Sequence, residues 1–275
     1  MLTENDVIWH CHDKEASRDA ALVDIAQDHV LSHLYQQGFF SRGLILTGSA
    51  ALRKYRAGIR ARFSPSLEFS TSDSGLAGRA LATLSDADLG GFHFQTEIAD
   101  ERHARLRIHA PFDWEDVETD VVISSEPLHL RPKILDAVPV EVHWSYDFSM
   151  PSLPVICAEE DIANRLIRFP TAPTSRDLYD LAWYAARPFD EDLVRRLWVL
   201  KMYTELIRAG REKPIDSDQI FADCGVSDSD AGWMATVKLR YVFLKDLTPN
   251  EQRWCQLKSA DEPDVAQALS SMAFR

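Results

Sequence analysis

Two short segments bring together residue types that handle phosphate and metal. In Leu44-Ile-Leu-Thr-Gly-Ser-Ala-Ala-Leu52 an apolar run stops at Gly48-Ser49, and a helix-forming stretch, Ala50 to Arg56, follows at once. Gly48 lets the backbone turn sharply and approach a ligand, and Ser49 is a natural N-cap. A strand ending in Gly-Ser at a helix N-terminus offers unpaired N–H groups and the positive end of a helix dipole, which suits a phosphate. In Arg62-Phe-Ser-Pro-Ser-Leu-Glu-Phe-Ser70, Leu67 and Phe69 alternate with Ser66, Glu68 and Ser70. A strand there buries the first pair and presents the other three on one face. Together the two pieces read as a nucleotide-handling site.

Three further segments follow a recognisable order: Asp28-His-Val-Leu-Ser-His-Leu34 before that site, then Glu159-Glu-Asp-Ile-Ala-Asn-Arg-Leu166 and Ser175-Arg-Asp-Leu-Tyr-Asp-Leu181 after it. With the first two segments they resemble the AbiEii/AbiGii abortive-infection toxin family, within the polymerase-β-like nucleotidyltransferase superfamily. That family's pattern runs Gly-Gly-Thr/Ser-Ala-Leu, then Arg-Phe-Ser-x-Asp-x-Asp-Phe, then Glu-Glu-x-x-Ala-x-Lys-Leu and Arg-Asp-Leu-Tyr-Asp-Leu. Here Ser66 stands at the first aspartate, Glu68 at the second, and Arg165 at the lysine. The likeness extends over about residues 25–210.

The resemblance implies an α+β protein. A palm-like mixed sheet with flanking helices would occupy residues 1–150 and a helical bundle residues 151–275. It implies transfer of nucleotides from an NTP to an acceptor, with tRNA 3′ ends as the family's substrate class, Mg²⁺ as the metal and a winged-helix antitoxin as partner. On that reading Gly48, Ser49, Arg62, Ser64 and Arg165 hold the nucleotide. Ser66, Glu68, Asp120, Arg165 and Asp180 line the reaction centre, and Glu68 and Asp120 bind the metal. Ser66 and Arg165 also admit a second reading, a catalytically silent relative serving as a nucleotide- or partner-binding module.

Nucleotidyl transfer needs a divalent ion held by oxygen ligands, so carboxylates beyond Glu68 matter. Asp120 opens an apolar strand and is the first choice. Glu141, in Val140-Glu-Val-His, is an alternative or simply an outward-facing strand residue, and Asp73 lies just past the Glu68 strand. Arg53, Lys54, Arg56, Arg60 and Arg62 form the densest basic cluster. It is either a phosphate-binding strip or a set of partners for the 43 carboxylates. Arg165 either clamps phosphate or pairs with Asp161 at i,i+4 spacing. Lys201 reaches phosphate or snorkels to the surface. His10-Cys11-His12, and His29 with His33, invite a metal reading but lack further ligands in the pattern.

The elements that must position these groups follow from periodicity. Helices are expected over residues 15–38, 75–84 and 190–208, with strands at His93 to Thr96, Leu106 to His109, Val117 to Ile123 and Val138 to Trp144. Beyond Cys157 the pattern is helical almost to the end. The chain has 275 residues, 45% hydrophobic and 27% charged, enough for one large core or two modest ones. Its net charge of −13 opposes general nucleic-acid affinity. No apolar run could span a bilayer and no signal peptide opens the chain, so a cytoplasmic location is expected. Cys11, Cys157, Cys224 and Cys255 are scattered without Cys-x-x-Cys pairing, against a disulfide framework or zinc ribbon. There is no Gly-x-Ser-x-Gly elbow, Walker loop or dinucleotide fingerprint.

Overall fold

The computed structural model of the chain describes residues 2–11, 18–168 and 175–208. Two compact units divide the chain, Met1–Cys157 and Ala158–Arg275. The first is built on a mixed eight-stranded sheet: β1 Ile45–Thr47, β2 Ser66–Ser70, β3 Ala87–Leu89, β4 Phe92–Asp100, β5 His103–His109, β6 Val117–Ser124, β7 Lys133–Leu135 and β8 Leu153–Val155. Their spatial order is β3-β4-β5-β6-β2-β1-β8-β7. Alternation sets which face is buried. Leu67, Phe69, Val121, Ile123, Leu106 and Ile108 go inward, while Ser66, Glu68, Glu118, Asp120, Arg105 and Arg107 share the opposite, wetter face.

Helices α1 (Glu4–His10), α2 (Arg18–Gln36), α3 (Gly48–Leu52), α4 (Ser74–Ala82) and α5 (Glu141–Ser145) complete this unit. Asp73 caps α4, its Oδ1 accepting from Leu76 N at 3.0 Å, a structural use rather than a metal ligand's. The alternation from Val138 to Trp144 suggests a strand, but the chain is extended only through Val140 and then turns into α5. Adjacent Val142 and His143 are both buried, as neighbouring positions on the inner side of a helical turn can be. Glu141 therefore sits in the first turn of α5, exposed. The strands β7 and β8, three residues each, are not evident in the sequence.

Helix α2 is buried all round from Ala21 to Asp28, so its polar residues need internal partners. Gln27 Nε2 donates to Thr119 Oγ1 (3.0 Å) and the Ser64 carbonyl (3.1 Å), fixing α2 against β6 and the approach to β2. Asp24 and Asp28 meet the basic cluster. Arg53 Nε and Lys54 Nζ both donate to Asp24 Oδ1 at 2.9 Å, and Lys54 Nζ lies 2.6 Å from Asp28 Oδ1. His10 and His143 bond the remaining oxygens at 2.9 and 2.8 Å. A π-helical turn, Arg53–Ala57, continues α3, and it brings two neighbouring basic side chains onto one carboxylate.

Burial opposes ionisation of Asp24, but Arg53, Lys54 and a hydrogen bond from His10 more than offset it, holding its pKa well below the usual carboxylate range. Asp28 is lowered too, burial again being outweighed, here by Lys54 and His143. Because both folded-state values are depressed, their stabilising effect is complete above the unfolded pKa of about 3.9 and is lost as pH falls below it. Urea unfolding measured across pH is expected to give stability that holds to pH about 5 and then declines. Asp24→Asn, which removes one titrating carboxylate, gives a shallower acid limb.

In the second unit, α6 (Ala158–Arg168), α7 (Ser175–Ala185) and α8 (Glu191–Arg208) are helical. Val194, Leu197 and Lys201 form the buried stripe of α8. Leu200, next to Lys201 in sequence, is 45% exposed. The side chains of Leu206 and Ile207, the helical expectation beyond residue 208, and Cys224 and Cys255 lie outside the described residues.

Candidate functional site

The turn after β1 and the acidic strand β2 converge. Gly48 begins α3 with φ +68, in the left-handed region that side chains disfavour. A Cβ on Gly48 would stand 2.6 Å from both Cδ and Oε2 of Glu68, so the Glu68 carboxylate lies against the mouth of this turn. Antiparallel register sets Thr47 opposite Glu68, and parallel register sets Ser66 opposite Asp120. Thr47, Glu68, Ser66 and Asp120 thus project from one face of three neighbouring strands, β1, β2 and β6.

The helix start differs from expectation. Thr47 is the N-cap of α3, without a side-chain cap bond, and Ser49 lies one residue inside the helix. Ser49 and Ser64, both buried, join hydroxyl to hydroxyl at 2.6 Å. Ser64 Oγ donates in turn to the Ser66 carbonyl at 2.7 Å, so Ser49 donates to Ser64. This relay braces the turn against β2 and directs both hydroxyls at protein partners. Arg62, half-buried, donates to the Phe63 carbonyl at 3.2 Å.

Asp120 has partners on the other side. Its Oδ1 accepts from Arg105 Nε at 3.3 Å and from His103 Nε2 at 3.4 Å. The hydrogen bond to Asp120, followed by the charges of Asp120 and Glu118, raises the Arg105 pKa. Among the described residues no group of three His, Cys, Asp or Glu side chains converges as a metal cage.

Other candidates have structural employment. Of the basic cluster, Arg53 and Lys54 are buried on Asp24 and Asp28, and Arg56 donates to the Ile156 carbonyl. The phosphate-strip reading is therefore not sustained for these three. Arg165 is 1% exposed. It pairs with Asp161 at 3.2 Å, as the i,i+4 spacing suggests, and also with Asp180 at 2.5 Å. Burial works against its charge, but the two carboxylates outweigh that and raise its pKa above the ordinary arginine value. Tyr184 donates a further hydrogen bond to Asp161 at 2.7 Å. Arg165 and Asp180 thus serve each other inside the helical unit. Lys201 does not snorkel: it pairs at 2.9 Å with Glu160, which is fully buried.

Among the described residues the histidines join no group of three His, Cys, Asp or Glu side chains that could hold a metal. His10 bonds Asp24, Cys11 is buried and free, and His12 lies outside the described residues. His29 packs among Phe92, Tyr146 and Phe148. The Arg105 and His103 contacts to Asp120 escaped sequence reasoning. The alternation of β5 puts those side chains outward, but only the cross-strand register sets Arg105 opposite Asp120 and His103 opposite Val122, one diagonal step from it.

Comparison with known proteins adds three findings. Residues 29–267 match a protein-family model described as nucleotidyl transferase AbiEii toxin, type IV TA system. Among solved structures the chain is similar to MenT4, a nucleotidyltransferase toxin from Mycobacterium tuberculosis H37Rv, with 33% identity, a TM-score of 0.75 and 99% of each chain covered. It also aligns with JHP933 from Helicobacter pylori at 17% identity and a TM-score of 0.40, over 90% of each chain. Among curated proteins no match was found. No helix among the described residues is long and apolar enough to cross a membrane.

Proposed function

The chain belongs to the AbiEii family of nucleotidyltransferase toxins of type IV toxin–antitoxin systems, and from that premise we propose that it transfers a nucleotidyl group from an NTP to the 3′ end of a tRNA, with a winged-helix antitoxin as its protein partner. The observation that carries the reading is the Glu68 carboxylate seated against the Gly48 turn, with Ser66 and Asp120 in register on the same face. The tRNA acceptor and the winged-helix form of the antitoxin rest on the family resemblance.

The donor set suits Mg²⁺, a hard ion usually held by one or two carboxylates together with substrate phosphates rather than by an all-protein cage. Glu68 and Asp120 would hold it, with the Ser66 and Thr47 hydroxyls beside them, and it would supply charge neutralisation at the triphosphate. The absence of a side chain at Gly48 leaves room for Glu68 and for close backbone approach of phosphate. The acceptor hydroxyl bonds to the α-phosphorus as the bridging bond to the β-phosphate breaks and pyrophosphate leaves. The hydroxyl's proton passes to a carboxylate of the Glu68 and Asp120 pair.

Ser66 favours a second reading, a relative that binds nucleotide without transferring it. Labelled NTPs incubated with total tRNA, with and without Mg²⁺, separate the two. Metal-dependent labelling that Glu68→Gln abolishes supports transfer, whereas NTP binding without labelling supports the silent module. Ser66→Asp restores a ligand charge and is expected to tighten metal binding by about ten- to a thousandfold and to raise transfer. The same change sets two carboxylates directly opposite across β2 and β6, so without metal it lowers the melting temperature. A variant with neither tighter metal binding nor faster transfer counts against a merely weakened site.

A further inference from the structure

Asp120 is one of two carboxylates assigned to the metal, yet its visible contacts come from the strand farther from Glu68. Strand β6 lies between β2 and β5, and both Arg105 and His103 reach Asp120 from β5. The register aligns a row across four strands: Glu97 on β4, Arg105 on β5, Asp120 on β6 and Ser66 on β2. Charges alternate along this row until Ser66, where a hydroxyl offers little to draw a cation or to repel Asp120. In register, Asp120 thus has a guanidinium on one side and a neutral hydroxyl on the other. The Arg105–Asp120 pair is roughly half-exposed, 53% and 40%, and such pairs exchange readily.

We propose that Arg105 is a positioning residue that holds the Asp120 carboxylate toward β5 in the nucleotide-free protein and yields it to a divalent ion that arrives with polyphosphate. The inference rests on the reading above in which Asp120 is a metal ligand. A bare divalent cation must approach Asp120 against the guanidinium's like charge. A metal–triphosphate complex is net negative and offers Arg105 a replacement partner, since guanidinium binds phosphate bidentately. Arg105 therefore orders events: the metal is taken up with the nucleotide rather than ahead of it. Arg107, two residues along the same face, pairs with Glu118 at 3.6 Å and serves as an internal control.

The test is Mn²⁺ titration of the full-length protein without nucleotide, read by the electron paramagnetic resonance of free Mn²⁺. Arg105→Gln is expected to bind Mn²⁺ about five- to tenfold more tightly than the wild type. Arg105→Lys, which keeps the charge, and Arg107→Gln should change affinity less than twofold. Adding Asp120→Asn to Arg105→Gln should abolish the gain. With a non-hydrolysable NTP analogue present, the advantage of Arg105→Gln should vanish. Unchanged Mn²⁺ affinity in Arg105→Gln, while Asp120→Asn alone weakens Mn²⁺–nucleotide binding, overturns the role of Arg105 and leaves the metal assignment intact. If Asp120→Asn leaves Mn²⁺–nucleotide binding unaltered, both fall, because Asp120 is then no ligand.

Discussion

Gly48→Ala is expected to lower nucleotidyl transfer by about a hundredfold or more while destabilising the fold by only about 1–2 kcal/mol. The stability term follows from φ +68 at this position, where an L-residue is strained. The added methyl would stand 2.6 Å from the Glu68 carboxyl, but that neighbour is the end of a flexible side chain and can swing away. The fold therefore survives and the carboxylate moves, by an amount that matters to chemistry because a misplacement of about 1 Å can cost two orders of magnitude. Initial rates of label transfer, set beside urea unfolding of the same preparation, measure both effects. Activity within a few-fold of wild type in a folded Gly48→Ala protein would show that the position of Glu68 is unimportant.

The second large effect concerns stability. Arg165→Met should destabilise the protein by about 3–5 kcal/mol, the range for stripping one partner from a buried ion pair. Asp161 and Asp180 would then both lose the guanidinium that bridges them in the protein interior, while the Tyr184 hydroxyl still donates to Asp161. Combining Arg165→Met with Asp161→Asn and Asp180→Asn should restore much of the loss, because the penalty lies in unpaired charge rather than in the missing attraction. Chemical denaturation of the single and triple variants decides it. A phosphate-clamping Arg165 would behave differently, raising KM for the nucleotide in a protein of near-normal stability.

The sequence carried the candidate site farther than it carried the surroundings. Period-two alternation in Ser66-Leu-Glu-Phe-Ser70 was enough to aim Glu68 outward, and the Gly48 turn was legible because glycine tolerates what other residues do not. Both signals are local. The basic cluster shows the limit: its density around Arg53 and Lys54 was plain, but its use was decided by Asp24 and Asp28, carboxylates on a helix 30 and 26 residues earlier, counted back from Lys54. Val138 to Trp144 alternates like a strand, yet His143 is drawn to Asp28 across 115 residues, and that tertiary contact has no local signature. Strand β8 contains Pro154 and reads as a loop. It becomes a strand because β1 offers it an edge, through the pairing of Leu46 with Val155. The hydroxyl relay from Ser49 to Ser64 is invisible in sequence for the same reason, as either serine alone reads as a cap or a ligand.

The pairing of Leu46 with Val155 also carries a clock. The two partners are 155 − 46 = 109 residues apart. At ribosomal rates of about 5–20 residues per second, roughly 5–20 s separate synthesis of the first from synthesis of the second. Through that interval β1, the strand leading into the Gly48 turn, has no strand beside it on the flank that later receives β8, because β2 pairs with the other flank. A newly made toxin therefore acquires its full complement of sheet neighbours at this turn late in translation, and a nascent-chain-binding factor would have those seconds in which to act.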